Sequence, residues 1–359
     1  MLIEVVRPRD LRFCEIAAWL RFQAADPALE TPFLTPDWAA TVERAQSGRR
    51  GDIRIVVLRE GRAPVGFFAT RVVGQTAMPV GAPMCDYQGL VARPGLTVDP
   101  KRLVEALGVQ RLDFSHMLAD QHAFQPFSRG VADSFLVDVA DGYAAYADAR
   151  SGTTSILKDI AHRRRKLARE RASLRFTPMA DCPQAFERLL DWKRRQYLAT
   201  GQPVIFDTPW TVELLRALHG VGGPDFGGAL FTLHVGERVA AIQFHLRSRK
   251  TLHAWIIAHD PEFERYSPGL ILFDEILRWM DSTPYATLDL GAGDYRFKHR
   301  FANARRSVSH GFVGRPSAAS FMREAQYGVR AAAEKLPWPA VQSLPGKAMR
   351  RLDLLRGLR

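Results

Sequence analysis

The chain has 359 residues, 47% of them hydrophobic and 25% charged, an ordinary globular composition and enough length for about two domains. No apolar run approaches the ~18 residues of a membrane-spanning helix, and the N-terminal residues lack a basic segment followed by an apolar one, so a cytoplasmic protein without a signal peptide is expected. The net charge is +12, and residues 296–359 hold fourteen Lys or Arg against Glu324, Glu334 and Asp353, which points to a polyanionic partner: nucleic acid, acidic lipid or a phosphorylated ligand.

In chain order, the pattern predicts a strand at residues 3–6, helices at 10–24 and 36–46, and a hairpin at 53–70. A Gly- and Pro-flanked loop carries Asp86 and Tyr87. A helix at 100–107 and strands at 111–114 and 134–139 follow. A basic helix at 154–172 contains His162-Arg163-Arg164-Arg165-Lys166, which reads either as a solvated face or as a polyanion contact. Helices at 183–199 and 209–218 precede strands at 229–235, 238–247 and 251–258. A helix opening at Ser267, strands at 286–290 and 307–313 and a helical, Pro-broken tail from residue 317 complete the chain. The turns of the hairpins 53–70 and 229–244 lie 175 residues apart, and two copies of one domain explain this economically. The expected division is residues 1–150 and 174–316 as two domains, 151–173 as a linker helix and 317–359 as a basic tail.

Two turns in residues 259–301 suit phosphate, because each follows a strand and opens a helix whose free N–H groups attract anions. In Tyr266-Ser267-Pro268-Gly269, Ser267 is a good N-cap, Pro268 fits the first helical position, and Gly269 leaves the backbone open. The following helix places Leu272, Phe273, Ile276, Leu277 and Met280 on one buried stripe. The second turn, Asp289-Leu290-Gly291-Ala292-Gly293-Asp294-Tyr295, imitates a methyltransferase or dinucleotide motif. Its late position leaves no room for the rest of such a sheet, and Arg296 stands where the third glycine belongs. Cys14, Cys85 and Cys182 are isolated, fit neither a zinc site nor a disulfide framework, and suggest a reducing compartment.

The motifs Phe33-Leu34-Thr35-Pro36-Asp37-Trp38, Asp86-Tyr87, Lys193 with Gln196, Tyr266-Ser267-Pro268-Gly269 and Asp289 to Lys298 resemble the FemAB-like group of GNAT acyltransferases. Within it the chain is most similar to the branch named after the cellulose-biosynthesis protein CelD, over roughly residues 32–313. The resemblance implies an α+β fold of two tandem GNAT-like domains, each a mostly antiparallel mixed sheet flanked by helices. It implies an N-acyltransferase, with acetyl-CoA or another acyl-CoA held at Tyr266, Ser267, Gly269 and Leu270, and no metal. The GNAT turn usually reads Gln/Arg-x-x-Gly-x-Gly/Ala; here one glycine and one proline leave fewer donors, so aminoacyl-tRNA, the carrier of Fem enzymes, stays open beside acyl-CoA. The single basic helix, where Fem enzymes carry a long helical hairpin, favours acyl-CoA. The implied acceptor is an amino sugar of a surface polysaccharide or its lipid-linked precursor.

Direct attack of an amine on a thioester needs positioning, charge stabilisation and a proton acceptor. Lys298 is the first candidate, to hold a phosphate or stabilise developing negative charge. Asp294, four residues earlier on the same expected helix, orients it, takes the proton or merely caps the helix. His253 and His259 lie on the strand before the carrier turn, with His253 a candidate base and Trp255 on its face by strand alternation. Asp86, Tyr87, Lys193, Trp255 and Tyr295 are expected around the acceptor. The competing reading is a non-catalytic binding protein whose basic surface takes an anionic nucleotide, a membrane or, less favoured, nucleic acid. The tail segment Arg350-Arg351-Leu352-Asp353 is its weak nucleotide motif, and peripheral inner-membrane contact through the tail is the corresponding lipid expectation.

Overall fold

The computed structural model describes residues 1–46 and 52–358; the final arginine of the basic tail, Arg359, lies outside them. The chain divides into two compact units, Met1–Leu29 with Phe33–Ala132 and Ser307–Arg359, and Glu30–Pro32 with Asp133–Arg306. These bounds differ from the four-part division expected from sequence: the tail belongs to the first unit, and the basic helix to the second.

In the second unit the sheet runs in the order Ser128–Asp138, Thr287–Ala292, Thr251–His259, Arg238–Ser248, Phe226–Val235, Leu174–Thr177. All neighbours are antiparallel except Thr251–His259 and Thr287–Ala292, which are parallel and joined by the helix Pro268–Met280. That helix buries Ile271, Leu272, Phe273, Ile276, Leu277 and Met280, the apolar stripe expected at spacings of three and four. The helix Ile156–Glu170 is not a free linker. Ile156, Ile160 and Leu167 share one face and enter the core of this unit, leaving the arginines outward. A further helix, Tyr143–Ser151, precedes it and was not foreseen; its Tyr143 and Tyr146 reach the same core.

The first unit repeats the plan. Asp52–Glu60 and Ala63–Val73 form a hairpin, Thr76–Met78 adds antiparallel to it, and Arg111–Leu118 pairs parallel with Thr76–Met78. Leu2–Val6 closes one side, and Ala304–Gly314 pairs with Arg111–Leu118 from Val308 onward. The repeat is visible in one backbone detail. Gly61 and Gly236, 175 positions apart, sit in the two hairpin turns at φ 59° and 58°, a left-handed conformation that glycine enters without Cβ strain.

The tail forms the helices Ala318–Glu334 and Pro339–Leu358, held to the first unit by polar contacts and by Tyr327 and Met349 packing on Phe312. Arg323, buried, donates to both carboxylate oxygens of Asp353 at 3.1 and 2.8 Å and lies 3.6 Å from Asp113, which also pairs with Arg111 at 2.7 Å. Asp353 is therefore an anchor rather than part of a nucleotide motif. Arg71, also buried, donates to the Gly357 carbonyl at 2.6 Å. Removing Arg323 leaves buried Asp113 to Arg111 alone and takes both guanidinium donors from Asp353. Arg323→Ala is expected to cost about 3 kcal/mol, read as a lower urea midpoint together with faster proteolytic release of the tail.

Candidate active site

The parallel strands pair only at Thr251–Thr287, Leu252–Leu288 and His253–Asp289, and then part. Each carries an extra residue where they separate. Trp255 has no partner between the pairs His245–Ala254 and Phe244–Ile256, and Leu290 has none between Asp289–Leu136 and Gly291–Phe135. Bulges bend strands and re-aim side chains. A cavity of about 640 Å³ occupies the wedge, walled by Ala254, Trp255, Ile257, His259 and Leu290 from the strands. Ser267, Gly269, Leu270 and Phe273 come from the crossover helix and its turn, and Tyr295, Phe297 and Lys298 from the segment after Thr287–Ala292.

The helix Pro183–Ala199 and the residues just beyond it close the cavity with Lys193, Gln196, Tyr197 and Thr200, an i, i+3, i+4, i+7 stripe. Tyr197, Thr200, Gln202 and Glu264 were not foreseen as site residues. That stripe was a readable signal for the first two; nothing in the sequence marked Gln202 or Glu264. Lys193 donates to Gln196 Oε1 at 3.0 Å and to the Ile257 carbonyl at 3.2 Å, tying helix to strand, and burial lowers its pKa. Burial also lowers His259, against the opposing pull of Glu264 and Asp260, so its imidazole is neutral at neutral pH.

The carrier turn is built differently from expectation. Ser267 is left-handed at φ 53° and its side chain makes no cap hydrogen bond; its Oγ instead meets the Arg163 guanidinium of the basic helix. Its N–H goes to the Glu264 carbonyl, the Leu270 N–H returns to the Ser267 carbonyl, and Pro268 has none. Gly269 is the remaining donor at the start of this thirteen-residue helix. Its carbonyl accepts from Gln243 Nε2 at 2.9 Å, and Gln243 Oε1 lies 2.8 Å from His245 Nε2. Burial pushes His245 down to about 3, so it is neutral, and with Gln243 donating forward the proton resides on Nε2. Tyr266 is a packing residue rather than a carrier contact: its ring is buried and its hydroxyl donates to Glu170 at 2.8 Å.

Lys298 is largely buried, and its ammonium donates to the Gly291 and Ala292 carbonyls at 3.1 and 2.7 Å, with the exposed Tyr295 ring 5.3 Å away. Asp294 does not orient it. The helix begins only at Arg296, so the two are not one turn apart on a helix, and the exposed Asp294 carboxylate lies 2.5 Å from His299 Nε2. His253 is not a cavity base. The Trp255 bulge reverses the alternation, so Ala254 faces the cavity before it and Trp255, Ile257 and His259 after it, while His253 is fully buried 3.5 Å from Asp289. Burial disfavours the Asp289 carboxylate, but His253, Arg306 and the Gly291 N–H at 2.8 Å outweigh it and hold its pKa below the usual range. Tyr87, in the first unit, is buried beside Phe33 and borders a void of only about 10 Å³, so its side chain packs rather than binds an acceptor; Asp86 beside it is half-buried.

His245 gives this region an acid dependence. Its folded pKa lies below the unfolded one, so the unfolded chain takes up the proton first. The contribution is complete above about pH 6.5 and is lost as pH falls toward 3. Urea midpoints should show His245→Gln losing about 2 kcal/mol less than the wild type between pH 6.5 and 5.

Residues 154–299 match the model of the acetyltransferase (GNAT) domain, so the basic helix is part of that domain. FemX is similar in structure, with a TM-score of 0.55 at 9% identity over 87% of this chain and 96% of that one. A conserved protein of unknown function from Bacteroides thetaiotaomicron VPI-5482 gives 0.54 at 10% identity over 86% and 100%. A tandem GNAT protein from the clavulanic acid biosynthesis pathway gives 0.51 at 11% identity over 88% and 100%. A search of curated proteins returns no match. These structures share the fold, and the matched segment supplies the class: the chain is an acyltransferase with a GNAT acetyltransferase domain on a FemX-like, tandem-GNAT fold.

Proposed function

We propose that the chain is an acetyl-CoA-dependent N-acyltransferase that acylates the amino group of a sugar in a surface polysaccharide or its lipid-linked precursor. The observation that carries this reading is the shared cavity: the Gly269 helix start and the Lys298 ammonium line one space of about 640 Å³, within the range of small-molecule sites. The helix N-terminus and Arg163 suit the carrier's phosphates. The acceptor amine attacks the thioester carbonyl, a C–N bond forms and the C–S bond breaks. The Lys298 charge stabilises the oxyanion, and His259, neutral and in the same cavity, takes the amine proton. Gln196, Thr200 and Gln202 offer hydrogen bonds to sugar hydroxyls, and Trp255 and Tyr295 offer aromatic faces to a pyranose ring. The polysaccharide setting follows the CelD-like motifs alone.

A second reading keeps the fold and changes the carrier. The outward arginines of Ile156–Glu170, beside the carrier turn, also suit the phosphates of an aminoacyl-tRNA, and FemX shares the fold. A thiol-release assay with acetyl-CoA and an amino-sugar acceptor separates them. Expected outcomes are thiol release dependent on the acceptor, a drop in kcat of about 100-fold in Lys298→Ala, and a raised KM for acetyl-CoA at near-normal kcat in Arg163→Ala. Full turnover in Lys298→Ala would remove it from the site. Acyl transfer from aminoacyl-tRNA, with none from acetyl-CoA, would select the second reading. Binding of coenzyme A without transfer to any amine would leave a non-catalytic anion-binding protein.

A further inference from the structure

The two tail helices carry apolar side chains on two faces, one buried and one exposed. Ala318–Glu334 turns Arg323 and Tyr327 to the first unit, where Arg323 pairs with Asp353 and Asp113 and Tyr327 stacks on Phe312. On the opposite side it exposes Phe321 by 78% and Val329 by 60%, while Met322 borders a hollow with Val73 and Met78. Positions 321, 325, 329 and 332 recur at helical spacing, so this outward stripe is Phe, Ala, Val, Ala. Pro339–Leu358 repeats the arrangement: Met349 and Gly357 are buried, while Leu344, Leu352 and Leu355 are exposed around Ala348. Trp338, between the helices, is 61% exposed. Half of the large hydrophobic side chains exposed among the described residues lie between positions 321 and 355. The anchoring face holds the ion pairs of Arg323 and a small apolar cluster of Tyr327 and Met349 on Phe312, and the exposed apolar side chains lie off that face and are presented to another partner.

The charge around the surface identifies the partner. Lys347, Arg351 and Arg356 flank the apolar stripe of the second helix, and Lys335 ends the first; all are exposed. Apolar side chains framed by Lys and Arg, with a tryptophan at the edge, match an anionic lipid interface, and no helix among the described residues is long and apolar enough to span a bilayer. We infer that the outward faces of the two tail helices form a docking surface for an anionic bilayer, with Phe321, Val329, Trp338 and Leu355 entering the headgroup boundary and the cations contacting lipid phosphates. This placement is independent of the acyl-transfer reading.

The test uses the full chain with vesicles of phosphatidylcholine and phosphatidylglycerol at 3:1, and with phosphatidylcholine alone. Sedimentation is expected to show binding to the mixed vesicles at least tenfold tighter than to the neutral ones. Phe321→Ser with Trp338→Ser and Leu355→Ser should weaken it at least tenfold while preserving the urea midpoint and any thiol release with a soluble acceptor, since these side chains are exposed and distant in sequence from the cavity residues. Lys347→Glu with Arg351→Glu should weaken it similarly. Unchanged vesicle binding in the serine variant would overturn the inference. So would absent vesicle binding accompanied by a dimer in sedimentation equilibrium, which would make a second copy the occupant, or by salt-sensitive oligonucleotide binding, which would make it nucleic acid.

Discussion

The site rests on the early end of one strand pairing. Thr251–His259 and Thr287–Ala292 run together for three residues and are then released from each other's hydrogen bonds. Asp289 marks the point of release. Its buried carboxylate accepts the Gly291 N–H, beside His253, where a continued ladder would have used the backbone. Everything beyond depends on that separation: the bulged Trp255 and Leu290 wall the gap, the crossover helix starts at one side, and Lys298 is fixed by carbonyls of the parted strand at the other. The polar core beneath is costly to bury, and its pairing as His253 with Asp289 and His245 with Gln243 lets it persist inside an apolar unit.

Much of the frame was legible in the sequence because it follows periods and punctuation. The hairpins, the stripe from Leu272 to Met280 and the repeat offset all arise from local pattern, and each needs only its own segment to form. The cavity lining was legible where the backbone itself makes the feature, as at Gly269, or where a long polar side chain follows a marked turn, as at Lys298. It was illegible where one residue disturbs a period. His253 and Trp255 share a face in an even strand, and the bulge between them depends on a partner strand that no local pattern describes. Asp294 failed for a related reason: the helix start moved two residues past it, and a four-residue spacing has meaning only within a helix. Tyr87 shows a third cause, since an aromatic in a Gly/Pro loop reads as exposed until the core that covers it is known.

The basic helix Ile156–Glu170 separates charge from location. Its composition gave two readings, solvated face or polyanion contact, and its burial pattern joins them. Three apolar residues dock one side, and Arg163 reaches Ser267 while Arg164 holds Glu275 on the crossover helix at 2.9 Å. A cation brought to the positive end of a helix dipole is electrostatically unfavourable by itself, and it becomes favourable when an anion occupies the space between them. The helix thus favours an anion at the Ser267–Gly269 turn over an empty turn.

The single extra residue at Trp255 also has an evolutionary reading. In an even strand, substitution changes a cavity wall one side chain at a time. Here the wall is Ala254 before the bulge and Trp255, Ile257 and His259 after it, so loss of the extra residue would restore an even strand that keeps Ile257 and His259 at the cavity and removes the Trp255 ring alone. A one-codon deletion at this position therefore removes one aromatic wall of the cavity and leaves the rest of the lining, the turn at Ser267 and the strand order untouched. Alignments that treat such gaps as noise would miss the event that changes what the pocket accepts.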